Sequence, residues 1–346
     1  MHWTRWLLLL PFAGLTAFTS VNAGDKKDEP TPPRKIVAVN KKEFRKLIGK
    51  KTEVETIARG FIWTEGVAWN KEGKFLVFSD IPHNVVHKWQ DGKTSDFVKP
   101  SGYTGKKPRG GKAGDEPGSN GLRFDAEGRL TLCEHGDRRV TRIEKDGKKT
   151  VLADNYMGKK LNSPNDLVYH SNGDLYFTDP PYGLLGNVKD PARELDFQGV
   201  YLRKKDGKLI LLTKEMTRPN GIELSPDEKT LYVANSDPDM PIWKSFPVKD
   251  DGTIGEGKVF VDGTNWVKEK RPGLPDGMKI DVSGNLWATG PGGVWVFSPS
   301  GEVLGNIDTG TNTANVCFGD EDGSTLYIAA NHDICRVKTK TKGKGF

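Results

Sequence analysis

Glu65, Asn120, Asn165, Asn220, Asp276 and Asn315 open six phrases of one kind, spaced 55, 45, 55, 56 and 39 residues apart. The phrases read TEGVAWNKEGKFLVFSD from Thr64, SNGLRFDAEGRLTLCEH from Ser119 and PNDLVYHSNGDLYFTD from Pro164. They continue as PNGIELSPDEKTLYVAN from Pro219, PDGMKIDVSGNLWATG from Pro275 and ANVCFGDEDGSTLYIAA from Ala314. In each, an oxygen-bearing side chain stands just before an apolar run. Any one Asn-Gly or Asp-Gly by itself is an ordinary turn. A turn alone, however, does not require a polar residue at the same register in every copy. Carboxylate and amide oxygens without thiolate partners describe a hard-cation site, since calcium accepts about six to eight oxygens in loose geometry and structural zinc prefers sulfur and imidazole. Glu65 and Asp276 bring two negative charges, and the asparagines fill the shell without overcharging it. Asn315, followed by Val316 instead of glycine, fits the pattern least.

These side chains reach one place only if the elements bearing them are arranged around an axis. Each phrase supplies two β-rich runs joined by turn residues, which is hairpin chemistry. A lone hairpin cannot bury both its faces, and stacking four-stranded sheets radially solves this. Recurrence at this period predicts an all-β, six-bladed β-propeller with four-stranded blades around a central metal-binding channel. The expected span is residues 51–338, with EVETIARGF from Glu53 as a candidate closing strand for the last blade. Forty-one glycines and 21 prolines in 346 residues suit a turn-dense β protein.

Outside the repeats, residues 1–23 read as a signal peptide: Arg5, then WLLLLPFAGLTAF, then Val21-Asn22-Ala23 as a cleavage site. The expectation is export to the periplasm or medium, with the mature chain starting at Gly24. The apolar run is short for a bilayer span, and no span is expected in the mature chain. Residues 24–50 read as a charged, disordered linker and 339–346 as a basic tail. These ends hold much of the excess behind the net charge of +6. Since no basic face interleaved with aromatics appears in the body, nucleic-acid binding is not expected. Cys133, Cys317 and Cys335 each sit in an apolar β run and read as buried free thiols, with a single bridge as the alternative. Oligomeric state is left open.

His135, in Cys133-Glu134-His135-Gly136-Asp137, stands at the end of an inner strand. Imidazole suits proton transfer near neutrality, although ordering of a loop is an equal alternative. Tyr182, in Asp179-Pro180-Pro181-Tyr182-Gly183, belongs to a rigid rim loop and is a substrate contact or simply loop packing. Arg138 and Arg139 read as solvated surface charge, with a hold on an anionic substrate as the alternative. Residues 98–117, rich in Pro, Gly and Lys, read as a flexible, basic lid or rim loop. Ser119, Ser163 and Ser236 lack a nucleophile elbow, which argues against a serine hydrolase.

Taken together, EGVAW at Glu65, SNGLRFDAEGRLTLCEHGDRRVTR from Ser119, LNSPNDLVYHSNGDLYFTDPPYG from Leu161, RPNGIELSPDEKTLYVANSD from Arg218 and LPDGMKIDVSGNLWAT from Leu274 carry a resemblance. The chain resembles the SMP-30, gluconolactonase and regucalcin family, in its bacterial exported branch. The resemblance implies that Glu65, Asn220 and Asp276 bind a catalytic divalent metal, with Asn165 as fourth ligand or substrate contact and Asn120 lining the pocket. It further implies Asp276 as general base, with His135 the alternative from residue chemistry. The expected cofactor is one divalent cation, calcium first, with manganese, magnesium or zinc as alternatives. The expected function is metal-dependent opening of sugar lactones. Two alternatives stay open: hydrolysis of another lactone, aryl ester or phosphotriester on the same site, and a non-catalytic calcium-stabilised propeller that binds a partner or glycan.

Overall fold

The computed structural model describes residues 33–346. The signal-peptide reading and the first part of the linker lie outside the described residues. Six antiparallel sheets follow one another along the chain and form the blades of a six-bladed propeller. Blade 1 contains Thr64–Asn70, Phe75–Asp80, Val85–Gln90 and Lys93–Val98; blade 2 contains Ser119–Phe124, Leu130–Glu134, Arg139–Ile143 and Lys149–Ala153. Blade 3 is built from Leu167–Tyr169, Leu175–Asp179, Gly199–Arg203 and Leu209–Thr213, and blade 4 from Pro219–Leu224, Thr230–Asp237, Met240–Pro247 and Lys258–Asp262. In blades 5 and 6 the innermost strands are Met278–Ile280 and Asn315–Gly319. The first strand of every repeated phrase is thus the innermost strand of its blade.

The packing follows from strand alternation. Each sheet has two apolar faces and buries them against its neighbours, and six apolar clusters result, one at each blade interface. Phe177, Tyr201 and Cys133 fill the contact of blades 2 and 3, while Trp243, Phe297 and Met278 fill that of blades 4 and 5. All three cysteines are buried and free.

The ring is closed by sequence-distant chain. Glu55–Arg59 pairs antiparallel with Asp333–Lys338 as the outer strand of blade 6, as EVETIARGF implied. The linker reading is corrected for residues 35–48. Lys35–Ala38 pairs with Val303–Asp308 as a fifth strand of blade 5, and the helix Lys41–Leu47, capped by the Asn40 side chain, buries Phe44 and Leu47. Their charged neighbours hid an amphipathic pattern too short to register. The tail reading is corrected as well. The Lys340 amide donates to the Leu47 carbonyl at 2.8 Å, Thr339 and Thr341 are buried, and Phe346 packs on the core between blades 5 and 6.

Candidate functional site

Each oxygen-bearing residue of the repeats sits at the same end of its inner strand, and a chain of contacts links them around the axis. The Gly121 amide donates to the Asn165 carbonyl at 2.7 Å, and the Gly277 amide to the Ala314 carbonyl at 2.8 Å. Hydroxyls at the ends of second strands reach forward to the next blade. Ser79 Oγ donates to the Asn120 carbonyl at 2.9 Å, Thr178 Oγ1 to the Asn220 carbonyl at 2.7 Å and Thr289 Oγ1 to the Ala314 carbonyl at 2.9 Å; Ser236 Oγ donates to the Pro275 carbonyl. Asn315 Nδ2 closes the circle on Glu65 Oε2 at 3.2 Å.

The glycine after the oxygen residue has a reason other than turn formation. A Cβ at Gly121 would stand 2.5 Å from the Asn165 carbonyl oxygen, and one at Gly221 would collide with that of Asp276. Inner strands of adjacent blades approach so closely here that only glycine fits, and this brings the preceding side chains into one small ring.

The ring is buried: Glu65, Asn120, Asn165 and Asn220 are all at most 5 % exposed. Asp276 is partly exposed as a residue, but its Oδ1 is sealed from solvent. Asn220 Nδ2 donates to Ser236 Oγ at 2.9 Å, which orients the amide and turns Oδ1 away from that bond. Asn220 Oδ1, Asn120 Oδ1, Asn165 Oδ1 and Asp276 Oδ1 have no hydrogen-bond partner among the described residues. Four unpartnered buried oxygens around one axis are costly unless a hydrogen-bond donor or a cation satisfies them. Asn315 differs, because its Nδ2 is spent on Glu65 and its Oδ1 accepts from the Val316 amide at 2.9 Å. It orients Glu65, as its departure from the Asn-Gly pattern fits.

The electrostatics have the same sense. Burial raises the Asp276 carboxyl well above the usual range, and the charges of Glu65, Asp166 and Glu116 push it further. Glu65 is raised by burial, against the pull of hydrogen bonds from the Gly66 amide and Asn315. Among the described residues no group of three His, Cys, Asp or Glu side chains stands ready to hold a metal. The donor set is instead two carboxylates with amide oxygens, which suits a hard cation of flexible coordination.

Around the ring, Tyr182 has a buried, unpartnered hydroxyl, and burial, then the Asp276 charge, raises its phenol above the ordinary range. His135 is fully buried, with Nδ1 2.9 Å from Glu116 Oε2. Residues 98–117 are pinned to the rim: Asn84 Oδ1 accepts from the Gly102 and Tyr103 amides at 2.8 and 3.1 Å, and Arg109 Nη2 donates to the Gly183 carbonyl at 2.9 Å. Arg138 is not a solvated charge. Its guanidinium is buried and donates to the Leu161 and Ala192 carbonyls at 2.7 Å, tying the loop before blade 3 to the connection between that blade's second and third strands.

A family model described as SMP-30/Gluconolactonase/LRE-like region matches residues 63–332. The chain belongs to the SMP-30/gluconolactonase/LRE-like family. Within it, the chain is 41% identical over 303 residues to a gluconolactonase of Zymomonas mobilis, covering 86% of this chain and 84% of that one. A solved gluconolactonase from Xanthomonas campestris superimposes with a TM-score of 0.74 at 30% identity, covering 90% of this chain and 99% of that one. A pentonolactonase of Haloferax volcanii is 24% identical over 273 residues, 76% of this chain and 80% of that one. The chain is thus a gluconolactonase-like hydrolase by family.

Sequence reasoning missed the supporting shell of this family member. Ser79, Thr178, Ser236 and Thr289 stand in FSD, FTD, NSD and ATG at the ends of second strands, a recurrent hydroxyl that could have been read. Beside two of them, Asp80 accepts from the Ile62 and Trp63 amides at 3.2 and 3.3 Å, and Asp179 from the Asn162 and Ser163 amides at 2.8 Å. These carboxylates hold the loops that lead into the inner strands.

Proposed function

We propose that the chain is a divalent-metal-dependent lactonase acting on sugar lactones. The observation that carries this reading is the set of four unpartnered buried oxygens, from Asn120, Asn165, Asn220 and Asp276, beside the Glu65 carboxylate. Glu65, Asn165, Asn220 and Asp276 would hold the cation, calcium first, with manganese, magnesium or zinc as alternatives. When bound, the ion supplies a Lewis acid beside the lactone carbonyl. Asn120 and the Tyr182 hydroxyl offer hydrogen bonds to the sugar hydroxyls. Asp276 or His135 takes the proton of the attacking water. The pinned rim loops and the buried floor exclude bulk water from the reacting atoms. Names of relatives support the substrate class: the Zymomonas mobilis and Xanthomonas campestris proteins are gluconolactonases and the Haloferax volcanii protein a pentonolactonase. Export, read from residues 1–23, belongs to the same proposal and points to a lactone met outside the cytoplasm.

The test is hydrolysis of glucono-1,5-lactone by the chain, with buffer and Asp276→Ala controls, after chelation and after return of calcium, manganese, magnesium or zinc. The expected result is turnover that disappears with chelator and with Asp276→Ala and returns with one ion. Turnover that survives chelation would overturn the metal role. Absence of turnover with every ion would overturn the sugar-lactone reading.

A further inference from the structure

His135 directly follows the second strand of blade 2, Leu130–Glu134. The preceding residue, Glu134, is consumed by structure: its carboxylate accepts from Arg139, Thr141 and Lys149. His135 is not consumed. Its ring is fully buried, and Nε2 has no hydrogen-bond partner among the described residues. Nδ1 lies 2.9 Å from Glu116 Oε2, a hydrogen-bond distance without good alignment. Loose contacts of this kind are common in substrate-free sites.

Glu116 comes from the rim loop, and three fixed points deliver it. Asn84 Oδ1 gathers the backbone of Gly102 and Tyr103, the Gly118 amide donates to the Ile81 carbonyl at 3.0 Å, and Arg109 reaches the Gly183 carbonyl. Gly183 in turn lies flush against His135, since a Cβ there would stand 2.6 Å from the His135 Cβ. After burial and nearer charges, the Glu116 charge also helps to raise Glu65, Asp276 and Tyr182.

We infer that Glu116 is a positioning residue for His135, and that this pair is the proton-transfer unit of the reaction. The inference rests on the lactonase reading and extends it. An ionised carboxylate only accepts, so Glu116 holds the proton of a neutral imidazole on Nδ1 and leaves the lone pair on Nε2, which has no partner among the described residues. Nε2 takes a proton from water while the water oxygen bonds to the lactone carbonyl carbon and the C=O pair moves onto oxygen. The pair then returns, the ring C–O bond breaks, and the departing alkoxide takes the proton from Nε2. Lactone and water become one hydroxy acid, and His135 ends as it began. Asp276 is left free to serve as a ring donor.

The experiment compares the chain with Glu116→Gln, Glu116→Asp and His135→Gln on glucono-1,5-lactone. Bound calcium and melting temperature are measured for each, with 15N NMR of the imidazoles, His135 being assigned by its absence from His135→Gln. Glu116→Gln is expected to lower kcat about 10–100-fold while KM moves less than about twofold, with calcium content unchanged and partial recovery in Glu116→Asp. Its side chain is only partly buried, so the substitution opens no core cavity. The wild-type His135 is expected as the Nδ1–H tautomer, and Glu116→Gln as a mixture. Wild-type kcat in Glu116→Gln, or a loss that merely tracks lost calcium or lost stability, overturns the catalytic role. An Nε2–H tautomer in the wild type overturns the positioning role. If the wild type opens no lactone, the proton-transfer role falls with the lactonase reading, and the tautomer still decides the positioning by itself.

Discussion

Asn220 shows how a single amide becomes a directed oxygen. Its Nδ2 is taken by Ser236, whose own proton goes to the Pro275 carbonyl, so the remaining oxygen has one orientation and no partner. Replacing Asn220 by Ala is expected to lower calcium affinity and lactone turnover together, by about 10-fold or more each, as read by calorimetry and initial rates. Ser236→Ala, which frees the amide to flip, is expected to act in the same direction at a stability cost of about 1 kcal/mol. The raised carboxyls make a pH prediction with a definite sign. Glu65 and Asp276 bind protons more tightly in the folded chain than in the unfolded one, where Glu titrates near 4.5. Above that point and up to about 8, where Glu65 titrates in the folded chain, the folded state carries more protons, so stability of the metal-free chain falls as pH rises from about 5 to 8. A bound divalent cation offsets this by favouring the ionised forms. Melting temperatures across that range in chelator are expected to decline, and in excess calcium to hold steady; an upward trend in chelator would contradict the assignment of these two carboxyls.

Inner strands do two jobs at the level of the element: they carry the ring residue and they let the next blade come close. Where a glycine follows the ring residue, at Gly66, Gly121, Gly221 and Gly277, it makes the approach possible, and a hydroxyl from the neighbouring second strand, such as Thr178 on the Asn220 carbonyl, fixes the register. Gly221→Ala puts a methyl group against the Asp276 carbonyl, and with no flexible side chain there to yield, the blades must part. The expected cost is about 1–3 kcal/mol in denaturant melts, with a loss of metal affinity beyond that of a surface control. The rim loop depends on Asn84, whose Oδ1 receives three successive backbone amides, those of Ser101, Gly102 and Tyr103. Asn84→Ala leaves the Gly102 and Tyr103 amides unpaired, while Ser101 keeps its bond to the residue 84 carbonyl, and is expected to cost about 1–3 kcal/mol. It also exposes residues 98–117 to limited proteolysis, while the wild type resists cleavage there.

For the whole ring, closure is the decisive matter, since a propeller opened at one interface exposes two apolar faces. Here the first described strands serve the last blades. Glu55–Arg59 completes blade 6, Lys35–Ala38 extends blade 5, and Phe44 is buried between those blades with Trp287, Ile307 and Leu326 among its cluster. Phe44→Ala is expected to destabilise the entire chain by about 3–5 kcal/mol in one cooperative transition. If residues 35–48 were an appendage, the same substitution would leave the main transition unmoved.

Much of this architecture was legible in the chain because the repeat is local. Turn chemistry and strand alternation recur within each phrase, so six hairpins, their order around the axis and the six residues that open them, Glu65, Asn120, Asn165, Asn220, Asp276 and Asn315, follow from the recurrence. The closing strand from Glu53 was readable for a different reason, since a ring of repeats needs a strand to complete its last blade and this one stands just before the first phrase. Other features depend on partners distant in sequence. Lys35–Ala38 and the helix after it look like charged linker until Val303–Asp308 and the core between blades 5 and 6 receive them. Likewise Glu116 is an undistinguished acid in a loop rich in Lys and Gly until folding carries it to His135. Arg138 reads as surface charge until the loop before blade 3 closes over it. Local periodicity determined which residues face the axis. Only tertiary contact decided which oxygens there remain unpartnered, because hydrogen bonding by Asn315 and Asn220 is settled by neighbours 250 and 16 residues away.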